Sequence, residues 1–497
     1  MADEAKPLLE TEHLVEDLGG RAMRGGASIV AVQTTQFALS LGATAALARL
    51  LAPTDFGLVA LGVTVGDFLG LFLDLGLGAA TVQRASLDKS QISTLFWINA
   101  ALGTLIAAVM AATAPLVARF YGHPELVGVN VVLALGFLLT GFSVQHTALL
   151  RRQMRLTRLS GIELVSLTLG IGLAWAIAAL GAGYWSLVCL QLAPQAFGLI
   201  GVWSACRWRP GRPDRSVDVR PWFSFGAGLT GFNVLNYFSR NLDNVIIGRV
   251  SGTAALGLYV KSYSLLLLPV TRIRVPASAV VIPALSRLQD DPLRFRRFFL
   301  AAITIVVAIG MPLVVFMFVL APDVILFVLG PQWQGSVILF QVLAPAAFVE
   351  TFNTVGSWTC MPFGRSARLV RWQIFATAVM ATSFLVGARW GVLGVAWAVS
   401  LSTVALRAPS IVYLLRESPV RPIDLLEALA RPAGASLIAG AILYALRSSL
   451  LQPLNGFPLL GIAVPVFGVL YLSLWMLLPG GRRVIAELLT VREAAVS

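Results

Sequence analysis

Charge is scarce in this chain. Only 12% of its 497 residues are Asp, Glu, Lys or Arg, against about 25% in an ordinary soluble domain. Cysteine and histidine are far rarer still, at three each. Cys189, Cys206 and Cys360 all lie in or beside apolar runs, with neither metal-ligand spacing nor the pattern of a disulfide framework. No carboxylate–histidine cluster accompanies them, so no metal site and no cofactor is expected. Long polar connections are also missing. The outer loops are short, and the longest internal connection, residues 207–221, is rich in Pro and Arg rather than in acid–base chemistry. A membrane enzyme would need a larger external segment, so the chain is not expected to be an enzyme.

What fills the composition is apolar: 57% hydrophobic residues and a mean hydropathy of +0.82. Crossing a hydrocarbon core of about 30 Å takes about 20 apolar residues, and such runs recur along the whole length. The expected fold is an all-α polytopic membrane protein of about fourteen spans. They are placed at 26–50, 56–82, 93–118, 127–149, 160–181, 183–204, 225–249, 256–285, 298–320, 336–358, 370–389, 391–415, 431–447 and 457–478. Pro269, Pro276 and Pro283 fall in the eighth, which is therefore expected to be bent or partly unwound. Residues 1–25 are acid-rich and lack the basic and apolar regions of a secretory peptide, so they read as a cytoplasmic tail.

Most of the 37 Lys and Arg fall on the side that holds the N-terminus. Arg49, Arg119, Arg249, Arg389 and Arg447 lie at the opposite ends of the spans. That asymmetry predicts a multi-pass membrane protein with both termini cytoplasmic. The net charge of +13 is then a topology signal and an attraction to anionic lipid, not a nucleic-acid footprint.

An internal repeat organises the chain. Gln33, Gln36, Ser40 and Thr44 recur two hundred positions later as Asn233, Asn236, Arg240 and Asn244, with Arg49, Gly57 and Leu58 answering Arg249, Gly257 and Leu258. A helix turns about 100° per residue, so the stripe lies on one face. The repeat predicts two pseudo-symmetric six-helix lobes around a wet cavity. Residues 26–204 form the first lobe, 205–224 a cytoplasmic linker and 225–416 the second; 431–478 hold two appended helices and 479–497 a cytoplasmic tail.

Ionisable groups inside spans usually face an interior or water-filled path. Asn233, Asn236, Tyr237, Arg240, Asp243 and Asn244 share one arc of the seventh span, with Arg240 and Asp243 close enough in register to pair. This face suits an anionic, hydrogen-bonding headgroup, or else it joins helices through an ion pair and amides. Lys261 and Arg272 would share a face of the eighth span, and Arg and Lys both suit phosphate. Arg274 points elsewhere, either toward the cytoplasmic headgroups or into a cavity. Its repeat mate is Asp74, with Asp67 on the same face. These carboxylates and Asp243 are candidates for a coupling H⁺ or Na⁺, while Asp67 and Asp74 could equally form salt bridges across the lobes. Glu350 and Arg407 are isolated in the sequence and read as structural.

Three runs carry a family resemblance: LARLLAPTDFGLVAL (residues 47–61), NLDNVIIGRVSGTAALGLYVKSY (241–263) and VIPALSRLQDDPLRFRR (281–297). They resemble the polysaccharide-exporter branch of the multidrug/oligosaccharidyl-lipid/polysaccharide (MOP) superfamily, and within it the Wzx-type flippases of exopolysaccharide or lipopolysaccharide biosynthesis. The resemblance implies a V-shaped, two-lobe protein moving undecaprenyl-diphosphate-linked oligosaccharides from the cytoplasmic to the periplasmic leaflet by alternating access. It also implies glycosyltransferase and polymerase neighbours and a monomer. Within that chemistry the headgroup-binding candidates are Arg240, Lys261, Arg272, Asn233, Asn236, Tyr237, Asn244, Gln33 and Gln36. Two alternatives share the scaffold: a multidrug or small-cation efflux transporter, disfavoured by the basic seventh and eighth spans, and a peptidoglycan lipid precursor flippase.

Overall fold

The computed structural model describes residues 18–73, 78, 81–82, 88–214, 220–452, 454 and 456–478. Among these, regular structure is helical throughout. In chain order the helices are α1 (Leu18–Leu50), α2 (Pro53–Gly70), α3 (Lys89–Tyr121), α4 (Glu125–Arg152), α5 (Leu156–Ala179), α6 (Trp185–Ala205) and α7 (Arg220–Val250). They continue as α8 (Gly252–Arg287), α9 (Pro292–Val319), α10 (Ala321–Val328), α11 (Gln334–Glu350), α12 (Val355–Cys360), α13 (Ser366–Gly387), α14 (Gly391–Leu415), α15 (Pro422–Ser449) and α16 (Gly456–Leu477). With the short α10 and α12 set aside, fourteen long helices remain, one for each expected span. The chain divides into two compact units, Met1–Gly257 and Leu258–Ser497.

Local chemistry explains the boundaries. Pro53 opens α2, and the Asp55 carboxylate accepts the Ala52 backbone N–H at 3.0 Å, which satisfies a helix-end donor. Between α7 and α8 the chain turns within Ser251, because Gly252 adopts φ +80°, a conformation that costs glycine nothing. Asp291 caps α9 by accepting from the Arg294 N–H.

The first unit is held by helices brought to backbone contact. A Cβ on Gly103 would lie 2.5 Å from the Phe137 carbonyl, and one on Gly141 2.7 Å from that of Asn99, so α3 and α4 cross through a glycine pair. In the same way a Cβ on Gly57 would lie 1.8 Å from the Thr253 carbonyl and one on Gly257 1.9 Å from that of Pro53. Gly57 and Gly257 are repeat mates, and so are Pro53 and Thr253. The contact between α2 and the first turn of α8 is therefore reciprocal.

The second unit packs around α9. Phe295, Phe299, Ile303, Val307 and Met311 are buried against Leu285 of α8 and Trp358 of α12. Ser262 on α8 and Ser336 on α11 hydrogen-bond across, each hydroxyl donating to a carbonyl of the other helix. The two last helices are fastened to the same core. Arg296 at the start of α9 meets Asp424 at the start of α15 at 2.5 Å. Arg447 near the end of α15 meets Asp323 of α10 through two hydrogen bonds, of 3.2 and 3.0 Å. The Tyr471 hydroxyl of α16 donates to the Ala308 carbonyl at 2.8 Å.

Two expectations change here. The eighth span is one continuous helix through all three prolines, so it is not unwound at any of them. The tenth span is instead the interrupted one. Its helix stops at Glu350, runs through turns at residues 351–354 and resumes as α12.

Candidate functional site

In the first unit, α7 lies against α2. A Cβ on Gly248 would meet Leu61 at 2.4 Å and Tyr121 at 3.2 Å, so α7 approaches closely at its outer end. Further along, Tyr237 is 9% exposed, and its hydroxyl donates to the Thr64 carbonyl at 2.5 Å. Phe68 of α2 packs on the rings of Tyr237 and Phe238 at 5.4 and 5.6 Å. The Tyr237 hydroxyl is thus already committed to joining α7 to α2.

The other first-unit candidates are spread around this contact. Asn236 and Asn244 are half-buried, Gln36 of α1 is half-buried and Gln33 exposed, and Asp67 of α2 is exposed. Asp243 is only 4% exposed, and its Oδ1 accepts the Asn244 backbone N–H at 2.9 Å. Arg240, one turn before Asp243, is exposed. The Asn233 side chain and Asp74 lie outside the described residues.

In the second unit, Lys261 is half-buried and Arg272 exposed on α8. A denser site lies in the same unit. Arg274 of α8 donates through Nη1 to Glu350 Oε2 at 3.2 Å. Arg407 of α14 donates through Nη2 to Glu350 Oε1 at 2.9 Å and through Nη1 to Asn353 Oδ1 at 2.6 Å. The Asn353 amide closes the ring by donating to Glu350 Oε2 at 2.9 Å. The Arg407 guanidinium also lies 5.4 Å from the centroid of the Phe352 ring, a cation–π contact. The side chains of Arg274, Glu350 and Arg407 are 17%, 18% and 14% exposed.

Asn353 stands three residues after Glu350, on the same side of the helical turn, which sets its amide on the carboxylate, and the C-terminal end of α11 at Glu350 favours the two cations near it. Arg274 therefore does not reach for the headgroups. It lies about 20 Å of helix from Arg287, and the Glu350 carboxylate meets it in the interior. Glu350 and Arg407 are not isolated either. The sequence signals were Pro345 ahead of Glu350 and the polar Ser400 and Thr403 on the face of Arg407, but nothing in the sequence joined residues so far apart.

Charged pairs of another kind lie at the turn between α14 and α15. Glu417 holds φ +66° between α14 and α15, and its carboxylate meets Arg368 at 3.0 Å and Arg365 at 3.8 Å. The hydrogen bond and charge of Arg368 keep the Glu417 carboxyl below its ordinary range.

By sequence, the chain is similar to the teichuronic acid biosynthesis protein TuaB of Bacillus subtilis (strain 168), with 28% identity covering 76% of this chain and 77% of TuaB. It is also similar to the lipopolysaccharide biosynthesis protein WzxC of Escherichia coli (strain K12), with 23% identity covering 70% of this chain and 72% of WzxC. By fold it is similar to lipid II flippase MurJ in an inward closed conformation, at a TM-score of 0.69 and 13% identity, covering 90% of this chain and 97% of that one. The sequence relatives thus agree with the expected resemblance to polysaccharide-biosynthesis membrane proteins. A family model described as "Polysaccharide biosynthesis protein" matches residues 46–338, more than half of the chain, and the protein belongs to that family.

Proposed function

We propose that the protein is a non-enzymatic flippase of the bacterial inner membrane, with both termini cytoplasmic. It moves polyprenyl-diphosphate-linked oligosaccharides from the cytoplasmic to the periplasmic leaflet by alternating access, in exopolysaccharide or lipopolysaccharide biosynthesis. The observation that supports this reading most is the chemistry of α7 and α8 in a chain of this family: α7 carries Arg240 with the amides of Asn236 and Asn244, and α8 carries Lys261 and Arg272. Guanidinium and ammonium groups match a diphosphate, whereas amides match sugar hydroxyls. A pump for small cations would place carboxylates in those positions.

Asp67 and Asp243 remain our candidates for a coupling ion in the first unit, and the lobe boundaries implied by the repeat are our assignment of the moving parts. In a strain dependent on this protein, Arg240→Ala is expected to abolish export of the polymer while the protein level stays normal. Normal export by that variant removes Arg240 from the mechanism. Drug resistance on overexpression without any polysaccharide phenotype supports the efflux alternative instead.

A further inference from the structure

We propose that Arg274 and Arg407 form an anion site in the second unit that takes a phosphate or diphosphate group, and that Glu350 is the resident carboxylate occupying it in the meantime. The diphosphate of a lipid-linked sugar as the natural occupant rests on the function proposed above; the anion site itself stands on its own geometry.

Charge is the first ground. Two guanidiniums face one carboxylate, and the remaining partner, Asn353, is neutral. The cluster keeps a net positive charge on three mostly buried side chains within membrane helices. A buried charge left uncompensated is unfavourable unless something completes its pairing.

Donor geometry is the second. A guanidinium has five N–H donors in a fixed fork. Arg407 uses Nη1 and Nη2, while its Nε is buried without a hydrogen-bond partner. Arg274 reaches the carboxylate through Nη1 alone. Glu350, by contrast, has both oxygens engaged, with Oε2 taking two donors. The carboxylate thus takes three donors of the about four it can accept, while the two guanidiniums leave more of their donors open. That is the balance expected where a two-oxygen anion fills a place shaped for one with more oxygens.

Access and mobility are the third. None of the three side chains is sealed, at 14 to 18% exposure. Glu350 is the last residue of α11, directly before the interrupted segment 351–354, where irregular backbone at membrane depth is expected to line a path or site. Glu350 can therefore yield its place by a local rearrangement, while Phe352 keeps the Arg407 guanidinium in position. The charges facing Glu350 from the packed elements are Arg274 on α8 and Arg407 on α14, so the exchange is of one anion for another.

The test uses the full-length protein in lipid nanodiscs with inorganic pyrophosphate as probe, its affinity read by titration calorimetry. Wild type is expected to bind. Glu350→Gln keeps the shape and removes the competing charge, so its affinity should rise about tenfold or more, the scale of one charge-assisted hydrogen bond. Arg407→Lys keeps the charge but loses the fork, so its affinity should fall about as much. A purely structural triad predicts the reverse for Glu350→Gln: lower thermal stability and no gain in affinity. Equal affinity in wild type, Glu350→Gln and Arg407→Lys overturns the proposal. Should Glu350→Gln not fold, Arg407→Lys against wild type decides alone. Export in cells separates the two readings. Pyrophosphate binding that follows these substitutions while export stays normal keeps the anion site and refutes its use in export. Unchanged binding with export still lost in Arg240→Ala refutes the site and leaves the flippase reading standing.

Discussion

The glycine pair that joins α2 to the start of α8 offers a sharp physical test. Replacing Gly57 by Ala puts a methyl carbon 1.8 Å from the Thr253 carbonyl oxygen, and replacing Gly257 puts one 1.9 Å from that of Pro53. Both obstacles are backbone, so no side-chain rotation relieves them. Regaining an ordinary van der Waals separation needs the helices to part by roughly 1.5 Å or more. Overpacking of well-packed sites costs about 1–3 kcal/mol, and a backbone clash belongs at or above the upper end. Each single variant should therefore lose about 3 kcal/mol, visible as a drop in melting temperature of the purified protein in detergent. The double variant should cost clearly less than the two singles together, because helices already parted by one methyl group admit the second. The reciprocal geometry further requires the two singles to be similar in effect. A Gly57→Ala protein that melts like wild type, or a strictly additive double variant, refutes the close approach.

Tyr237→Phe removes the hydrogen bond to the Thr64 carbonyl and should lower stability by about 1 kcal/mol, or somewhat more because the carbonyl is left unpaired; unchanged stability with lost export would show that the hydroxyl serves the substrate instead. A double-mutant cycle on Arg447 and Asp323, paired bidentately and mostly buried, should give a coupling of about 1–2 kcal/mol, and a coupling near zero means that this pair does not fasten α15 to α10. Glu417 has its folded carboxyl held below the ordinary value of 4.5, first by the Arg368 hydrogen bond. Its contribution to stability is therefore present above that ordinary value and disappears only as the pH falls below it. The thermal stability of Glu417→Gln should then differ from wild type at neutral pH and converge with it in acid. A difference that persists unchanged in acid removes the carboxylate as its source.

The membrane class, the number of long helices and the repeat were all legible in the chain itself. Apolar run length is a local property, and the hydrocarbon thickness converts it directly into spans. The repeat was legible because equivalent positions keep their polar character at a constant offset, and Gly57 with Gly257 lies within that register. Individual candidate residues were legible as polar groups in apolar runs, but not their partners. Arg240 and Asp243 sit one turn apart, yet the packing of α7 on α2 buries one and exposes the other. Arg274, Glu350 and Arg407 come from three helices far apart in sequence, and only tertiary packing sets them within hydrogen-bond reach. Tyr237 shows the same limit, since the spacing placed its ring on the polar arc but could not say that a carbonyl of α2 would already hold its hydroxyl.

The reason is one of range. Periodicity and hydropathy report which solvent each face of a helix prefers, and every residue carries that preference with it. Which charge meets which is decided by distances between helices. Those depend on where glycines permit backbone contact and where a helix breaks, as α11 does at Glu350. The sequence alone determined that this chain spans a membrane and carries cations within its apolar helices; the tertiary structure alone decided that two of those cations share a single carboxylate.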